Sequence, residues 1–525
     1  MSTKLILTNF SQLAGKYGAG FAGIQAEVQR LITADQARGL ATQLIGLDDA
    51  AAMQQFNASP VTNALDPKQN KTAIDGVYKA LLPEYMMILG AQDVVPHQDL
   101  SNPAYEPEHS NDADMTAYGD LPYACEAPYS QDPQSFTGAT RVVGRLPDLP
   151  GASDPEYLVG LLKTAATWTS RSLQDYSNYL GLSAQVWQQS TSLSLSNLFG
   201  SGGPLHLSPT EGPNWTDPLI GARSHFINCH GAPGDFQFYG QSPNDDYPIS
   251  HSSINIEGRV AEGTVVAAEC CYGAQLFDPT LHGKMGICSA YLRGKAYGFW
   301  GSSTIAYGPS KGNGQADLIC QYFLKRVLAG SSLGRAALEA RQSFAQSGGH
   351  LDPFDLKTLA QFSLLGDPSI HPVNIPIADV PLGKSFSTTT PSGPPVPKGA
   401  VNRSERRRQL LSKGLWIAEN TPVARRARAR RSPKLKRLLE DLASQTNMQQ
   451  AKILSFNIDY NPKRQSKTLK NMVNEKSAVG DAVHVVLGQR AEAGEPADSN
   501  ICRAVAVVAK EVAGEIDSYR VVFGK

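Results

Sequence analysis

Two short apolar stretches end in groups able to do chemistry. Gly263–Phe277, GTVVAAECCYGAQLF, runs through Val265, Val266, Ala267 and Ala268 into an acid, two cysteines, an aromatic and a glycine. Ser224–Gly231, SHFINCHG, runs through a similar apolar core into His230 and Gly231. A protonated thiol, with an ordinary pKa of about 8.5, attacks poorly. An imidazole can accept its proton and later return one to a leaving amine. Glycine lets backbone N–H groups come close to a bound oxygen, so Gly231 and the nucleophile's own amide are candidates to hold an oxyanion. The chemistry implied is attack by a thiol, Cys271 or Cys270, assisted by His230. Strand alternation points the two cysteines to opposite faces, so one of them must be structural.

That chemistry needs a scaffold that brings two distant segments together. His230 and Cys271 are 41 residues apart, enough for a connection between neighbouring parallel strands. Residues 1–60 read as helical, with Ile24, Val28, Leu31 and Ile32 at helical spacing. Tyr85–Leu89 is the first clear strand, and the turn at its carboxyl end begins at Gly90, where ligands gather in open α/β sheets. Residues 91–140 form a long loop rich in Pro, Asn and Asp, containing Asp93, His97, Asp112, Asp114 and Asp120. Such loops are functional or disordered, and oxygen ligands of this kind suit calcium, although no standard calcium spacing is present. A strand is expected at Arg141–Gly144, a helix at Pro155–Ser172, and a helix, a strand and a surface loop over 173–222. After the two central strands come a helix (Met285–Arg293), a strand (Ala296–Trp300), two helices (Gln315–Ala329 and Ser332–Gln346) and a strand near GDPSI. Strands alternating with helices predict a mostly parallel α/β sandwich.

The 525 residues exceed one ordinary core, and their composition is that of a globular protein, 41% hydrophobic and 18% charged. Lys+Arg and Asp+Glu balance at 48 each, which gives no global pull toward nucleic acid or membrane. No apolar run reaches bilayer length, and the N-terminus lacks a secretory h-region. The seven cysteines are sparse and odd in number, as expected of free thiols in a reducing compartment, so a cytoplasmic location is expected. Residues 376–402 are a Pro/Ser/Thr/Gly linker. Residues 403–437 then carry thirteen Lys/Arg against two Glu, including ARRARARR, and read as a solvated basic segment. Strand-like runs from Lys452 onward form a small β-rich domain with no recognisable chemistry.

The His-Gly and Cys blocks, taken with YMMILGAQDVVP, DLPYA, RVVGRLP, YGFWGSSTIAYGP and FSLLGDPSI in that order, resemble the caspase/legumain/gingipain clan of cysteine peptidases. The gingipain branch is the nearer, over roughly residues 80–375. The resemblance implies a caspase-like three-layer α/β sandwich and a Cys/His dyad that hydrolyses peptide bonds through an acyl-enzyme. It implies protein or peptide substrates and no required cofactor, with calcium as a structural ion. In the caspase and legumain pattern an acid or amide stands two positions before the nucleophile, which favours Cys271. The Cys-x-x-Gly spacing of gingipains fits Cys270. With Cys271 as nucleophile, Glu269 stands where relatives line the primary pocket and would favour an Arg or Lys side chain. Trp300 and Ser302 would form a wall of that pocket and Asp120 a second charge; the alternatives are a turn residue at Asp120 and a salt-bridged acid at the sheet end for Glu269. Of the other histidines, all weaker candidates, His225 is expected to be a packed or edge residue, His282 to lie in a loop after the cysteines, and His371 to be structural.

The domains expected are a helical N-terminal flank (1–75), the peptidase domain (76–375), the linker (376–440) and a small C-terminal α+β or β-rich domain (441–525). ARRARARR would match the expected basic specificity, so self-processing there is a further expectation. Two other classes fit the chain: a catalytically silent caspase-like interaction module, and a nucleic-acid or partner-binding protein acting through residues 403–437. Nothing in the sequence fixes the oligomeric state.

Overall fold

A computed structural model describes residues 2–105, 112–347 and 351–375, with the backbone of short strands at 396–397, 424–426, 448–458, 482–491, 502–512 and 515–523. The linker, the basic segment with ARRARARR, and the self-processing expectation lie outside the described residues apart from those strands.

The first unit is built on one ten-stranded sheet. Its strands are β1 (Ser2–Thr8), β2 (Leu40–Gly46), β3 (Tyr85–Leu89), β4 (Val143–Leu146), β5 (Tyr179–Ala184), β6 (His206–Ser208), β7 (Ser224–Asn228), β8 (Val265–Ala268), β9 (Gly298–Ser302) and β10 (Phe362–Gly366). In space they run β2-β1-β3-β4-β10-β9-β8-β7-β5-β6. Every neighbouring pair is parallel except β9 and β10. The sheet therefore consists of two parallel halves of opposite direction, joined at that seam.

Helices cover both faces. Consecutive side chains on β9 show this, because alternation sends them opposite ways. Trp300 stacks on Phe323 of the helix Gln315–Leu328, with Arg341 of the helix Leu333–Ser347 over its ring. Phe299 packs instead against Tyr291 of the helix Ile287–Arg293. A parallel sheet covered on both sides reads as continuous apolar runs, and β3, β7, β8 and β9 are buried at every position. The molecule is thus a mixed α/β protein with a large, mostly parallel sheet between helical layers.

The expectation for residues 1–75 needs correction. Helices are present there, including Phe21–Ala37, yet two of the ten strands also come from this segment. Lys4 hid the first of them. It lies fully buried in β1 and is neutralised by Asp35 at 3.0 Å and by Asp367, 363 residues away. A lysine in a buried strand is tolerated only with such partners. β4 and β9 also begin two residues later than expected. Arg141 stays out of the sheet because its guanidinium pairs with Asp75 at 2.5 Å. The long loop 91–140 contains a hairpin, Gln98–Ser101 with Thr116–Gly119.

The second unit includes residues 401–525. Its described backbone is an antiparallel five-stranded sheet in sequence order: Ala424–Arg426, Met448–Ile458, Ala482–Ala491, Cys502–Val512 and Glu515–Phe523. No helix among the described residues is long and apolar enough to cross a membrane.

Candidate active site

β7 and β8 are parallel neighbours, with Ile227 opposite Ala268. Three residues further along each strand stand His230 and Cys271, so the same register carries both to the carboxyl end of the sheet. Glu269 N–H still donates to Ile227 O at 2.8 Å, which extends the ladder toward them. Gly231 then crosses directly against Cys271. A Cβ on Gly231 would lie 1.9 Å from the Cys271 carbonyl oxygen and 3.1 Å from its carbon. Only glycine permits that approach.

Past Cys271 the chain turns sharply. Tyr272 adopts φ 54°, a left-handed conformation rare for an aromatic residue and costing on the order of 1–3 kcal/mol. Gly273 N–H closes the turn onto Cys270 O at 3.2 Å, and Tyr272 N–H bonds Thr304 O at 3.0 Å. Cys271 Sγ meets the Ala306 backbone, whose N–H donates to it at 3.2 Å. The edge just beyond, Tyr307–Gly308, pairs antiparallel with Val396–Pro397.

The two cysteines separate as alternation requires. Cys270 is fully buried, and its Sγ lies toward Ile227 O at 3.9 Å. Below the sheet, Tyr291 joins two buried histidines. His225 Nε2 donates to Ala222 O at 2.9 Å, so its Nδ1 accepts from the Tyr291 hydroxyl at 2.7 Å. That hydroxyl in turn accepts from His251 Nε2 at 2.8 Å. Burial pushes His225 down to about 4 and His251 down to about 3, keeping both neutral. Cys270 belongs to this packed layer, and Cys271 faces the carboxyl-end loops.

His230 is held by a tether with no sequence signature. Gln241 Nε2 donates to Asp245 Oδ1 at 2.7 Å, which turns the amide oxygen toward His230 Nε2, 2.7 Å away. An amide oxygen only accepts, so Nε2 of the neutral ring carries the proton and Nδ1 carries the lone pair. The Trp187 ring, tilted at 4.4 Å, and the Tyr247 ring, edge-on at 5.1 Å, pack against the imidazole. His230 is 2% exposed and Cys271 0%, so the site is closed in this state. An open cavity of about 670 Å³ lies elsewhere, lined by Gln134, Thr140, Gln342 and Leu356 among others.

No family model matches the chain, and no curated protein matches it in sequence. Solved structures that resemble it include two proteases. One is described as a protease, with 12% identity and a TM-score of 0.44. The other is the Arg specific cysteine proteinase gingipain R, with 10% identity and a TM-score of 0.44. Each comparison covers 99% of this chain and 97% of the other.

The residues expected to contact substrate are placed differently from the dyad. Asp120 is buried with both carboxylate oxygens occupied: Arg145 Nε and Nη2 donate at 2.8 and 2.6 Å, and His97 Nδ1 lies 3.0 Å away. Although burial opposes ionisation, the Arg145 charge and then His97 outweigh it, and Asp120 stays well below the carboxylate range. Its charge is spent inside the protein, which corrects its assignment to a pocket. Trp300 is likewise a core residue, and the guanidinium over it is Arg341's, 5.3 Å from the ring centroid. Ser302 is buried and its hydroxyl donates to Thr304 O within its own turn. Glu269 is fully buried beside the cysteines. His282 packs on Phe277, and His371 Nδ1 meets Gly330 O at 3.1 Å. Among the described residues, no three His, Cys, Asp or Glu side chains converge to hold a metal, and Asp93 of the long loop pairs with Lys16 at 2.7 Å.

Proposed function

We propose that this chain is a cysteine peptidase in which Cys271 attacks a peptide carbonyl and His230 manages the protons. The observation that supports the reading is the shared register of β7 and β8, which run on into His230-Gly231 and Cys271 at the carboxyl end of a parallel sheet, with Gly231 packed against the Cys271 carbonyl. His230 Nδ1 takes the Cys271 proton, and the thiolate adds to the carbonyl carbon to give a tetrahedral oxyanion. The Gly231 and Cys271 amides are the proposed donors to that oxygen, each such donor contributing about 2.7–4 kcal/mol in comparable sites. His230 then protonates the leaving amine as the acyl-enzyme forms, and water releases the acyl group by the reverse sequence. No cofactor enters this chemistry. Calcium is carried only as the structural ion that the family resemblance implies.

A preference for Arg or Lys before the scissile bond now rests on Glu269 alone, because Asp120 and Trp300 are engaged in the core. The burial of both dyad residues favours one other reading, a catalytically silent interaction module of the same fold. A fluorogenic panel with Arg, Lys, Asn and Asp at the primary position separates the two, run with and without calcium. The peptidase reading expects turnover by wild type and by Cys270→Ala, and none by Cys271→Ala or His230→Ala. If wild type cuts nothing and no cysteine is labelled by an acyloxymethyl-ketone probe, the silent module takes its place.

A further inference from the structure

One carboxylate outside the dyad connects two of the segments that frame Cys271. Asp114 lies in the long loop after β3, where the sequence offers it only as one of several oxygen ligands suited to calcium. Its Oδ1 accepts from the Tyr272 hydroxyl at 2.7 Å. Its Oδ2 accepts from the Ile305 backbone N–H at 2.8 Å and stands 3.2 Å from Lys357 Nζ. Lys357 belongs to the helix Pro353–Gln361 and is fully buried, with its ammonium 5.6 Å over the Tyr307 ring.

The positions of these partners matter more than their number. Tyr272 is the residue after Cys271, held in a left-handed conformation that a bulky side chain disfavours. Ile305 is the residue before Ala306, whose N–H reaches Cys271 Sγ at 3.2 Å. Asp114 therefore holds the side chain of the residue after Cys271 and the backbone N–H of the residue before Ala306, and the buried Lys357 ammonium compensates its charge. A charge-assisted bond to a backbone N–H and an ion pair in a low-dielectric setting are directional and strong. A loop tied in this way keeps the thiol and the 304–307 segment at fixed separation, which nucleophilic attack needs to within a fraction of an ångström.

We infer that Asp114 is a positioning residue for Cys271: it fixes the turn at Tyr272 and the 304–307 loop as one unit through its bonds to Tyr272, Ile305 and Lys357. This rests on the reading of Cys271 as the nucleophile.

The test uses the full chain, as Asp114→Asn and as Asp114→Asn with Lys357→Met, the second change removing the ammonium that the first leaves uncompensated. Hydrogen exchange is followed in peptides covering 270–277 and 302–308, with β1 and β3 as internal controls. In parallel, the rate of Cys271 labelling by an acyloxymethyl ketone is resolved into affinity and maximal rate. Asp114→Asn is expected to speed exchange in both peptides by about tenfold or more, a loss of one or two hydrogen bonds, with the controls unmoved. The maximal labelling rate is expected to fall by a similar factor at unchanged affinity. The double variant recovers the melting temperature but neither the slow exchange nor the labelling rate. Wild-type exchange in Asp114→Asn, or labelling restored together with stability in the double variant, would overturn the inference. Should wild-type Cys271 resist the probe altogether, the peptidase reading fails, and the exchange data alone decide whether Asp114 holds the two segments.

Discussion

Gly231→Ala tests the register argument most directly. The added methyl would sit 1.9 Å from the Cys271 carbonyl oxygen. Restoring an ordinary carbon–oxygen contact of about 3.3 Å requires the His-Gly strand and the cysteine turn to separate by roughly 1.4 Å. Gly231 does not have the positive φ that would itself forbid a side chain, so this contact is the reason for glycine. Displacement of about 1 Å in a reacting pair costs on the order of a hundredfold in rate. The overpacking costs about 1–3 kcal/mol in stability, which lowers the melting temperature of a domain this size by only a few degrees. The assay is the second-order rate of Cys271 labelling by an acyloxymethyl ketone, read by intact mass, beside the melting temperature. Gly160→Ala, in the helix Glu156–Thr167 with no atom within 4 Å of its added methyl, is the control. Labelling of Gly231→Ala within threefold of the control would show that His230-Gly231 and Cys271 do not work as a pair, and the register argument would fall.

Gln241→Leu removes the acceptor that keeps the proton on His230 Nε2. The maximal labelling rate should fall about 2- to 13-fold, the value of one neutral hydrogen bond, and its pH profile should change shape; an unchanged rate and profile would exclude the tether from the chemistry. Stability should fall as pH drops from about 6.5 toward 4. His225 and His251 are neutral when folded, with pKa values near 4 and 3, so the unfolded chain binds up to two more protons across that window. Urea midpoints at pH 7, 5.5 and 4.5 check this, and His251→Gln should flatten the slope. Asp120 behaves oppositely to a buried neutral acid: its depressed pKa means stability is present above about pH 4 and lost progressively below it. Asp120→Asn should therefore be strongly destabilised at pH 7, because it leaves Arg145 buried without its carboxylate, and less so, though still destabilised, at pH 2.5.

The parts of this molecule legible in its sequence are those whose signal is local. The apolar runs of β3, β7 and β8 declare buried strands, and His230-Gly231 and Cys271 declare themselves by standing at the ends of two such runs. What was not legible depends on partners far away in the chain. β1 is a strand because Asp35 and Asp367 neutralise Lys4, and neither is visible from the residues around Lys4. The sheet's reversal at β9 and β10 is a matter of pairing, which no window of sequence contains. The same division runs through the site. Asp120, Trp300 and Ser302 looked like pocket residues because an acid, an indole and a hydroxyl near a nucleophile suit a substrate side chain. Residue type alone cannot reveal that Arg145 and Arg341 have already taken the acid and the indole. Conversely Gln241, Asp245 and Asp114 sit in irregular loops, and only their bonds to one another, His230, Tyr272 and Ile305 give them a role beside the dyad. Groups at the ends of strands can thus be found from pattern, because the backbone brings them there. Groups that orient them cannot, because loops are free to supply any side chain whose hydrogen-bonding capacity fits.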